Sequence, residues 1–241
     1  MQWSEDGVIV SVRAYGESNA LAELFTRAHG RHLGLVRGGR SRRMRPVLQP
    51  GNTVRASWRA RLSEHLGTFA IEPVKLRVAA IIDDPLRLAG LTTLTALVQL
   101  VAEREAHERL YDALLLVLDA LETGDHWPAL LVRWELGLLE ELGFGLDLTQ
   151  CAATGSQDDL IYVSPKSGRA VSAAAGEPYQ DRLLNLPMFL RGIAGAEPSL
   201  DDILAGFALT GHFLNRHIFE PRGLQPPDAR ERVVARLKRS G

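Results

Sequence analysis

An arginine-rich loop is the feature of this sequence whose residue types and spacing point most directly to chemistry. The twelve residues LVRGGRSRRMRP, 35–46, contain five arginines, namely Arg37, Arg40, Arg42, Arg43 and Arg45. Guanidinium groups this close together repel one another, so such a run is kept in contact with water or with phosphate. The loop therefore predicts binding to a phosphate backbone, and a merely solvated surface run is the alternative.

A neighbouring segment, TVRASWRARL at 53–62, alternates strictly between apolar and polar residues. This alternation predicts a half-buried strand whose outer face is cationic. Loop and strand together predict a single positive surface on a barrel, and its candidate nucleic-acid contacts are Arg37, Arg40, Arg42, Arg43, Arg45, Arg55, Arg59 and Arg61. Phosphate contacts carry no base information, so the predicted binding is largely non-specific and depends on salt.

Aromatic stacking platforms are a weaker signal, because aromatic residues make up only 6% of the chain. Proteins that bind single strands often stack bases on such side chains. Here the candidates alternate into positions expected to face a core, and they are Trp3, Tyr15, Phe25, Trp58 and Phe69. We therefore expect stacking to be modest.

Charge and composition restrict the class of protein. Residues 1–80 hold 13 Arg/Lys and 6 Asp/Glu, whereas residues 81–241 hold 15 and 23, so a net charge of −1 hides a basic and an acidic part. The basic part suggests a polyanionic partner. A single cysteine, no signal peptide and no membrane-spanning run predict a cytoplasmic protein.

The sequence lacks the catalytic motifs that several large enzyme classes need. RGGRSRR lacks the spacing and the lysine of a nucleotide phosphate loop, and neither His-Glu-x-x-His nor Gly-x-Ser-x-Gly occurs. The histidines His107, His212 and His217 sit in helical patterns and are interpreted as ordinary helix residues. We predict that the protein is not an enzyme.

Strand-like patterns fill the amino-terminal part, at 7–15, 20–28, 31–38, 53–62 and 67–78, with turn signals at glycines between them. Five short strands within about 80 residues predict a small barrel, either of the oligonucleotide-binding (OB) type or SH3-like, and periodicity does not separate the two. Pro73 lacks a backbone donor and predicts an edge position or a bulge.

Beyond residue 80 the period changes to that of helices. Helices are predicted at 86–104, 107–123 and 127–143, from a cap at Ser199 to about Phe219, and at 227–239. The fold class is thus α+β, with a barrel domain at 1–80, a helical domain at 81–241 and an irregular insert at about 146–178. Grooves between the helices, near Arg104, Arg109 and Arg133, are candidate sites for a short partner peptide.

Three segments carry a resemblance: VRGGRSRR at 36–43, LLEELGFGLDLTQCAATG at 138–155 and YVSPKSGRAV at 162–171. With the order of the parts, they make nearly the whole chain resemble the RecO family of bacterial DNA-repair and recombination-mediator proteins. The resemblance implies an OB-fold, a helical domain and a zinc-knuckle-like insert. The residues matching the family's basic loop are Arg37, Arg40, Arg42 and Arg43, whereas Arg55, Arg59 and Arg61 rest on the strand pattern.

What the resemblance implies for function is a mediator of the RecF-type pathway that binds single- and double-stranded DNA and anneals complementary strands. Its implied partners are RecR and the acidic tail of single-stranded-DNA-binding protein, and with RecR it helps RecA onto coated strands at the nucleoid. The alternative is an interaction scaffold whose basic loop binds RNA or an acidic protein.

The insert departs from family members that hold zinc through four cysteines. Cys151 matches the first ligand, but Thr154, Ser172 and Ala175 occupy the places where the others are expected. Neutral hydroxyl and methyl groups do not replace thiolates as zinc ligands. We therefore predict that no metal is bound.

Overall fold

The computed structural model describes residues 1–62, 65–124, 126–191 and 197–240. The chain forms two compact units, Met1–Asp125 and His126–Gly241. Among the described residues, no helix has both the length and the apolar character that crossing a membrane requires.

Five strands in the first unit close into a barrel. They are β1 (Gln2–Tyr15), β2 (Asn19–Thr26), β3 (Gly30–Val36), β4 (Thr53–Arg59) and β5 (Gly67–Lys75). Their order is β1-β2-β3-β5-β4, closed between β4 and β1, and all pairs are antiparallel except β3 with β5. This topology confirms the predicted barrel and favours the OB type over the SH3-like alternative.

The alternation of apolar and polar residues in β4 places its apolar side chains in the barrel interior. Val54, Ala56 and Trp58 are buried, while the intervening side chains are exposed. Two glycines make room for the aromatic rings: a Cβ on Gly34 would lie 2.4 Å from the ring of Phe69, and one on Gly67 would lie 2.1 Å from the indole of Trp58. The closely packed interior fixes which side chains remain on the outer face.

Pro73 lies at the predicted irregularity. Val54 pairs with Pro73, but the preceding residue, Thr53, pairs with Lys75, so Val74 of β5 is left without a partner. The missing backbone donor of proline is tolerated at such a bulge.

The described part of the first unit contains three helices, α1 (Val78–Ile81), α2 (Pro85–Val98) and α3 (Glu108–Thr123). Helix α3 packs on the barrel, because the Tyr111 ring meets Phe25 edge-on at 5.7 Å and Arg27 of the β2–β3 turn bonds Asp112 at 3.0 Å. Part of the outer surface of β2 is therefore covered by protein. Helices α2 and α3 lie in the range 81–241 that the sequence predicts as the helical domain.

The prediction of a helix over 86–104 was wrong for residues 99–104, because α2 ends at Val98. The segment that follows is hydrogen-bonded to the barrel instead. The Arg31 guanidinium donates to the carbonyl of Gln99 at 2.7 Å, and the Arg104 amide donates to the carbonyl of Arg31 at 2.9 Å. These long-range hydrogen bonds replace those that a continued helix would make.

The second unit is mainly helical and also contains a small sheet of order β7-β6-β8. Its elements are α4 (Trp127–Glu141), β6 (Leu160–Val163), β7 (Ala170–Ser172), α5 (Ala173–Gly176), β8 (Leu184–Asn185), α6 (Leu200–Leu214) and α7 (Asp228–Ser240). Ser199 caps α6 in a reciprocal pair with Asp202, as the sequence predicts. A π-helical segment, Asn215–Phe219, extends α6 to the predicted end.

A buried ion pair fixes α7 to its neighbours. The Glu135 carboxylate on α4 is fully buried and accepts from the Arg230 guanidinium on α7 at 2.8 and 2.9 Å. Arg230 also donates to the Phe207 carbonyl of α6 at 2.8 Å. Removing one partner of such a pair typically costs about 3–5 kcal/mol, so α7 is an integral part of this unit.

Candidate nucleic-acid interface

Two sets of cations in the first unit, one paired and one drawn from the predicted contacts, differ in their partners. One set forms ion pairs with carboxylates of the same unit: Arg27 with Asp112, Arg31 with Glu23, Arg55 with Asp6, Lys75 and Arg77 with Asp119, and Arg87 with Asp84. The other set makes no such pair within the described residues and comprises Arg37, Arg40, Arg42, Arg43, Arg45, Arg59 and Arg61. Among the described residues, seven of the eight predicted contacts thus have no carboxylate within ion-pair distance.

The arginine loop is anchored at its apolar residues. Val47 and Leu48 are buried in the barrel core, and a helical turn forms where the Leu48 amide donates to the Met44 carbonyl at 2.8 Å. Gly38 adopts a positive φ of 64°, and a Cβ on the buried Gly39 would lie 2.8 Å from Ala20. The arginines therefore project outward from a backbone that is held in place.

Arg40 is exposed, yet its side chain is hydrogen-bonded to the protein backbone. Its Nη1 donates to the carbonyls of Gly16 and Glu17, at 2.9 Å each. Arg40 and Arg45 line a shallow depression of about 480 Å³ together with Glu17. Arg40 thus fixes the β1–β2 turn, and the residue Glu17 lies beside it in the same depression.

A larger groove brings the loop and the strand face together. Arg37 and Met44 from the loop and Arg59 from β4 line this groove, which has a volume of about 810 Å³. Arg42 and Arg43 are exposed in the loop, and Arg61 is exposed just after β4. The predicted convergence of loop and strand is therefore present for Arg37 and Arg59, whereas Arg40 and Arg45 line the other depression.

Arg55 differs from the other predicted contacts. It lies opposite Asp6 on β1 and opposite Glu72 on β5 in the strand register, and it forms an ion pair with Asp6. The hydrogen bond with Asp6 raises the pKa of Arg55. A cation already held between two carboxylates is a poor phosphate contact, so we leave Arg55 out of the surface proposed below.

The aromatic residues offer little free ring surface. Phe25, Trp58 and Phe69 are buried in the barrel. Trp3 is partly buried, and its ring stacks on His29 at 4.3 Å and lies nearly parallel to Trp58 at 5.9 Å, so part of its ring surface is already in contact with protein. Tyr15 is half exposed but does not line the groove.

Four polar residues that line the groove, Gln2, Ser4, Ser57 and Thr68, are not among the predicted contacts. All four lie in strands next to one another in the sheet. Small uncharged side chains on exposed strand positions carry no compositional signal. Only the strand register shows that they belong to the same surface as Arg59.

In the insert, the residues at three expected ligand positions come together without a metal-ligand set. The Cys151 sulfur accepts hydrogen bonds from the amide and hydroxyl of Ser172, at 3.3 and 3.4 Å, and from Thr154. Among the described residues, no group of three His, Cys, Asp or Glu is placed to hold a metal ion. Hydroxyl donors fit a sulfur acceptor and do not fit zinc, so the insert does not suit the metal that the family resemblance implies.

The helical unit contains an apolar groove between α6 and α7. It has a volume of about 470 Å³, and Leu204, Phe207 and Leu214 line it together with Lys238. Of the arginines predicted near a peptide groove, Arg133 donates instead to the Phe189 carbonyl at 2.6 Å. Arg104 and Arg109 belong to the other compact unit.

The fold and the site define a class of protein: an OB-type barrel that presents unpaired arginines, followed in the chain by a helical unit with a small hydrogen-bonded knuckle. The family models described as Recombination protein O N terminal and Recombination protein O C terminal match residues 1–77 and 82–225. The chain belongs to the RecO family.

Relatives in several bacteria match nearly their entire length, and each is named DNA repair protein RecO. That of Methylobacterium nodulans is 55% identical, covering 98% of this chain and 97% of the relative. That of Rhodospirillum centenum is 54% identical and covers 100% and 96%. That of Mesorhizobium japonicum is 51% identical and covers 99% and 94%.

The Cys151 thiol gives a direct test of the knuckle. Burial by itself raises the pKa of Cys151, but hydrogen bonds from Ser172 and Thr154 stabilise the thiolate and lower the pKa to about 6. As this is the only cysteine, thiolate absorbance at 240 nm should rise with a midpoint near pH 6. Ser172→Ala should move the midpoint upward, and a step above pH 8 in the unmodified protein would contradict the hydrogen-bonded arrangement.

Because the pKa of this thiol is lower in the folded chain than in the unfolded one, its contribution to stability is complete above the unfolded value, about pH 8.5. The contribution decreases as the pH falls toward 6. The free energy of unfolding should therefore rise between pH 6 and 8.5, and Cys151→Ala should remove that part of the rise.

Proposed function

We propose that this chain is a DNA-binding mediator of recombinational repair that holds single- and double-stranded DNA by the phosphate backbone. The observation that carries the proposal is the groove on the barrel, where Arg37 of the loop and Arg59 of β4 lie together without a carboxylate partner in the described residues. An exposed guanidinium without a local counter-ion gains from binding phosphate and from the counterions that are then released.

Membership in the RecO family supports the repair role, since the relatives are named DNA repair protein RecO. In the proposed pathway the protein works with RecR to place RecA on strands coated by single-stranded-DNA-binding protein. It acts by binding and bringing partners together, without catalysis, in the cytoplasm at the nucleoid.

Strand annealing follows from the same electrostatics. Two complementary strands repel each other through their phosphates, and the repulsion falls when arginines neutralise part of the charge. Since the aromatic rings near the groove are buried, or partly buried and stacked as Trp3 is, the bases of a bound strand are not held in stacks. They stay available for pairing.

The arginine surface is tested with Arg42→Gln/Arg43→Gln/Arg59→Gln. Three lost phosphate contacts should lower the slope of log affinity against log salt by about 2 for a single strand. Affinity at low salt should fall by at least tenfold. Fluorescence anisotropy with labelled oligothymidine at four salt concentrations measures both quantities.

The matched control is Asp6→Asn/Arg55→Gln, which removes an arginine from the same sheet together with its own counter-ion. It should leave affinity and slope unchanged. If the triple variant also binds like the unmodified protein, the arginine surface is not the DNA site. Preferential binding of RNA or of an acidic protein over DNA would instead favour the interaction scaffold.

The acidic tail of single-stranded-DNA-binding protein is the proposed occupant of the groove between α6 and α7. Phe207 and Leu214 offer apolar contacts, and Lys238 at the same groove offers a positive charge for the tail's carboxylates. Ala208 is exposed in this groove, which makes it a position where charge can be changed without disturbing the core.

Ala208→Glu should weaken binding of a labelled tail peptide by at least tenfold, roughly 1.4 kcal/mol, because it sets a carboxylate against an acidic ligand. Ala174→Glu makes the same substitution at an exposed position outside the groove and should bind like the unmodified protein. Equal binding by both variants, measured by anisotropy, would exclude this groove as the tail site.

The insert is proposed to fold without zinc. Purified protein should contain no stoichiometric zinc by mass spectrometry, and a chelator should leave its thermal midpoint unchanged. The variant Thr154→Cys/Ser172→Cys/Ala175→Cys restores the four-cysteine set of other family members and should gain one zinc per chain. Stoichiometric zinc in the unmodified protein would overturn the hydrogen-bonded knuckle.

A further inference from the structure

The outer face of β1, β4 and β5 is arranged in three rows across the strands. The strand register places Gln2, Arg59 and Thr68 in one row, Ser4, Ser57 and Ala70 in the next, and Asp6, Arg55 and Glu72 in the third. Rows on one face follow each other at two-residue intervals, about 7 Å apart. The chemistry of the rows changes from cationic, through small and neutral, to a cation enclosed by carboxylates.

The first two rows line the groove that also contains Arg37, whereas none of the third row does. Ser4 and Ser57 lie close enough for a hydrogen bond between their hydroxyls, at 3.0 Å, and both are exposed. No long side chain of the second row stands between a ligand and the sheet, because its members are two serines and an alanine. The carboxylates of Asp6 and Glu72 end the region that an anion can approach.

We propose that this small-residue strip is a track for one sugar-phosphate strand, with Arg37 and Arg59 as its charged contacts and Gln2, Ser4, Ser57 and Thr68 as hydroxyl and amide contacts. Serine, threonine and glutamine are common donors to phosphate oxygens beside arginine. The inference rests on the proposed DNA binding and adds to it which polar residues contact the strand and how the strand lies.

The orientation of the strand follows from what the groove lacks. Its aromatic members Trp58 and Phe69 are 2% and 3% exposed, and the Trp3 ring is partly buried and stacked on His29 at 4.3 Å. Single-strand sites that hold bases usually rely on open aromatic faces. A strand in this track therefore contacts the protein through phosphate and sugar, and its bases point to solvent.

The path is tested by placing a carboxylate in the middle row. Ser57→Glu, and independently Ser4→Glu, should weaken binding of labelled oligothymidine by at least tenfold at low salt. Thr92→Glu introduces the same charge at an exposed position of α2 and should have little effect. Thermal unfolding of each variant confirms that the barrel is intact, and the use of two positions guards against a local folding defect in one of them.

The orientation is tested with an oligonucleotide in which every base is replaced by an abasic site. A phosphate track predicts affinity within about threefold of oligothymidine and the same salt slope. Binding weaker by tenfold or more would show that bases are held and would overturn the outward orientation.

The outcomes separate this inference from the broader proposal. If Ser57→Glu and Ser4→Glu bind like Thr92→Glu while the arginine triple variant loses affinity, the track is wrong and DNA binding by the arginines stands. If the arginine variant keeps full affinity, the proposed function itself fails.

Discussion

The distribution of carboxylates over the first unit decides which of its arginines are available to a polyanion. Carboxylates of the barrel and of α3 form ion pairs with Arg27, Arg55, Lys75 and Arg77. No carboxylate of the described residues pairs with Arg37, Arg42, Arg43 or Arg59. A net positive charge is therefore concentrated on the loop and on one end of the β4 face, and uncompensated charge in this position is what a phosphate backbone requires.

This separation depends on the closed barrel. Strand register sets Asp6 and Glu72 beside Arg55 and sets neutral Gln2 and Thr68 beside Arg59, four residues further along the same strand. Helix packing, rather than register, covers part of β2 and leaves the β4–β5 face open. Helix α3 packs against Phe25 of β2 and contributes the carboxylates of Asp112 and Asp119, which hold cations away from the arginine loop.

Much of the architecture could be predicted because periodicity is a local property. The alternation along 53–62 gave β4, and the cap at Ser199 gave the start of α6, with bounds close to those observed. Long-range pairing is different: the ion pair of Arg55 joins residues 49 positions apart, and the bond from Arg104 to Arg31 ends a helix that local pattern alone would continue. Neutral groove residues such as Ser57 were missed because only the neighbours in the sheet give them a role.

The central claim is that carboxylate pairing separates arginines that bind DNA from arginines that do not. The most direct test is a ¹⁵N NMR titration with a short oligothymidine that follows the side-chain Nε–Hε signal of each arginine. Each signal then shows whether that particular guanidinium contacts the DNA. The account predicts that signals of Arg37, Arg42, Arg43 and Arg59 shift, while those of Arg27, Arg31 and Arg55 stay in place. Shifts of equal size in both sets, or shifts confined to the paired set, would contradict it.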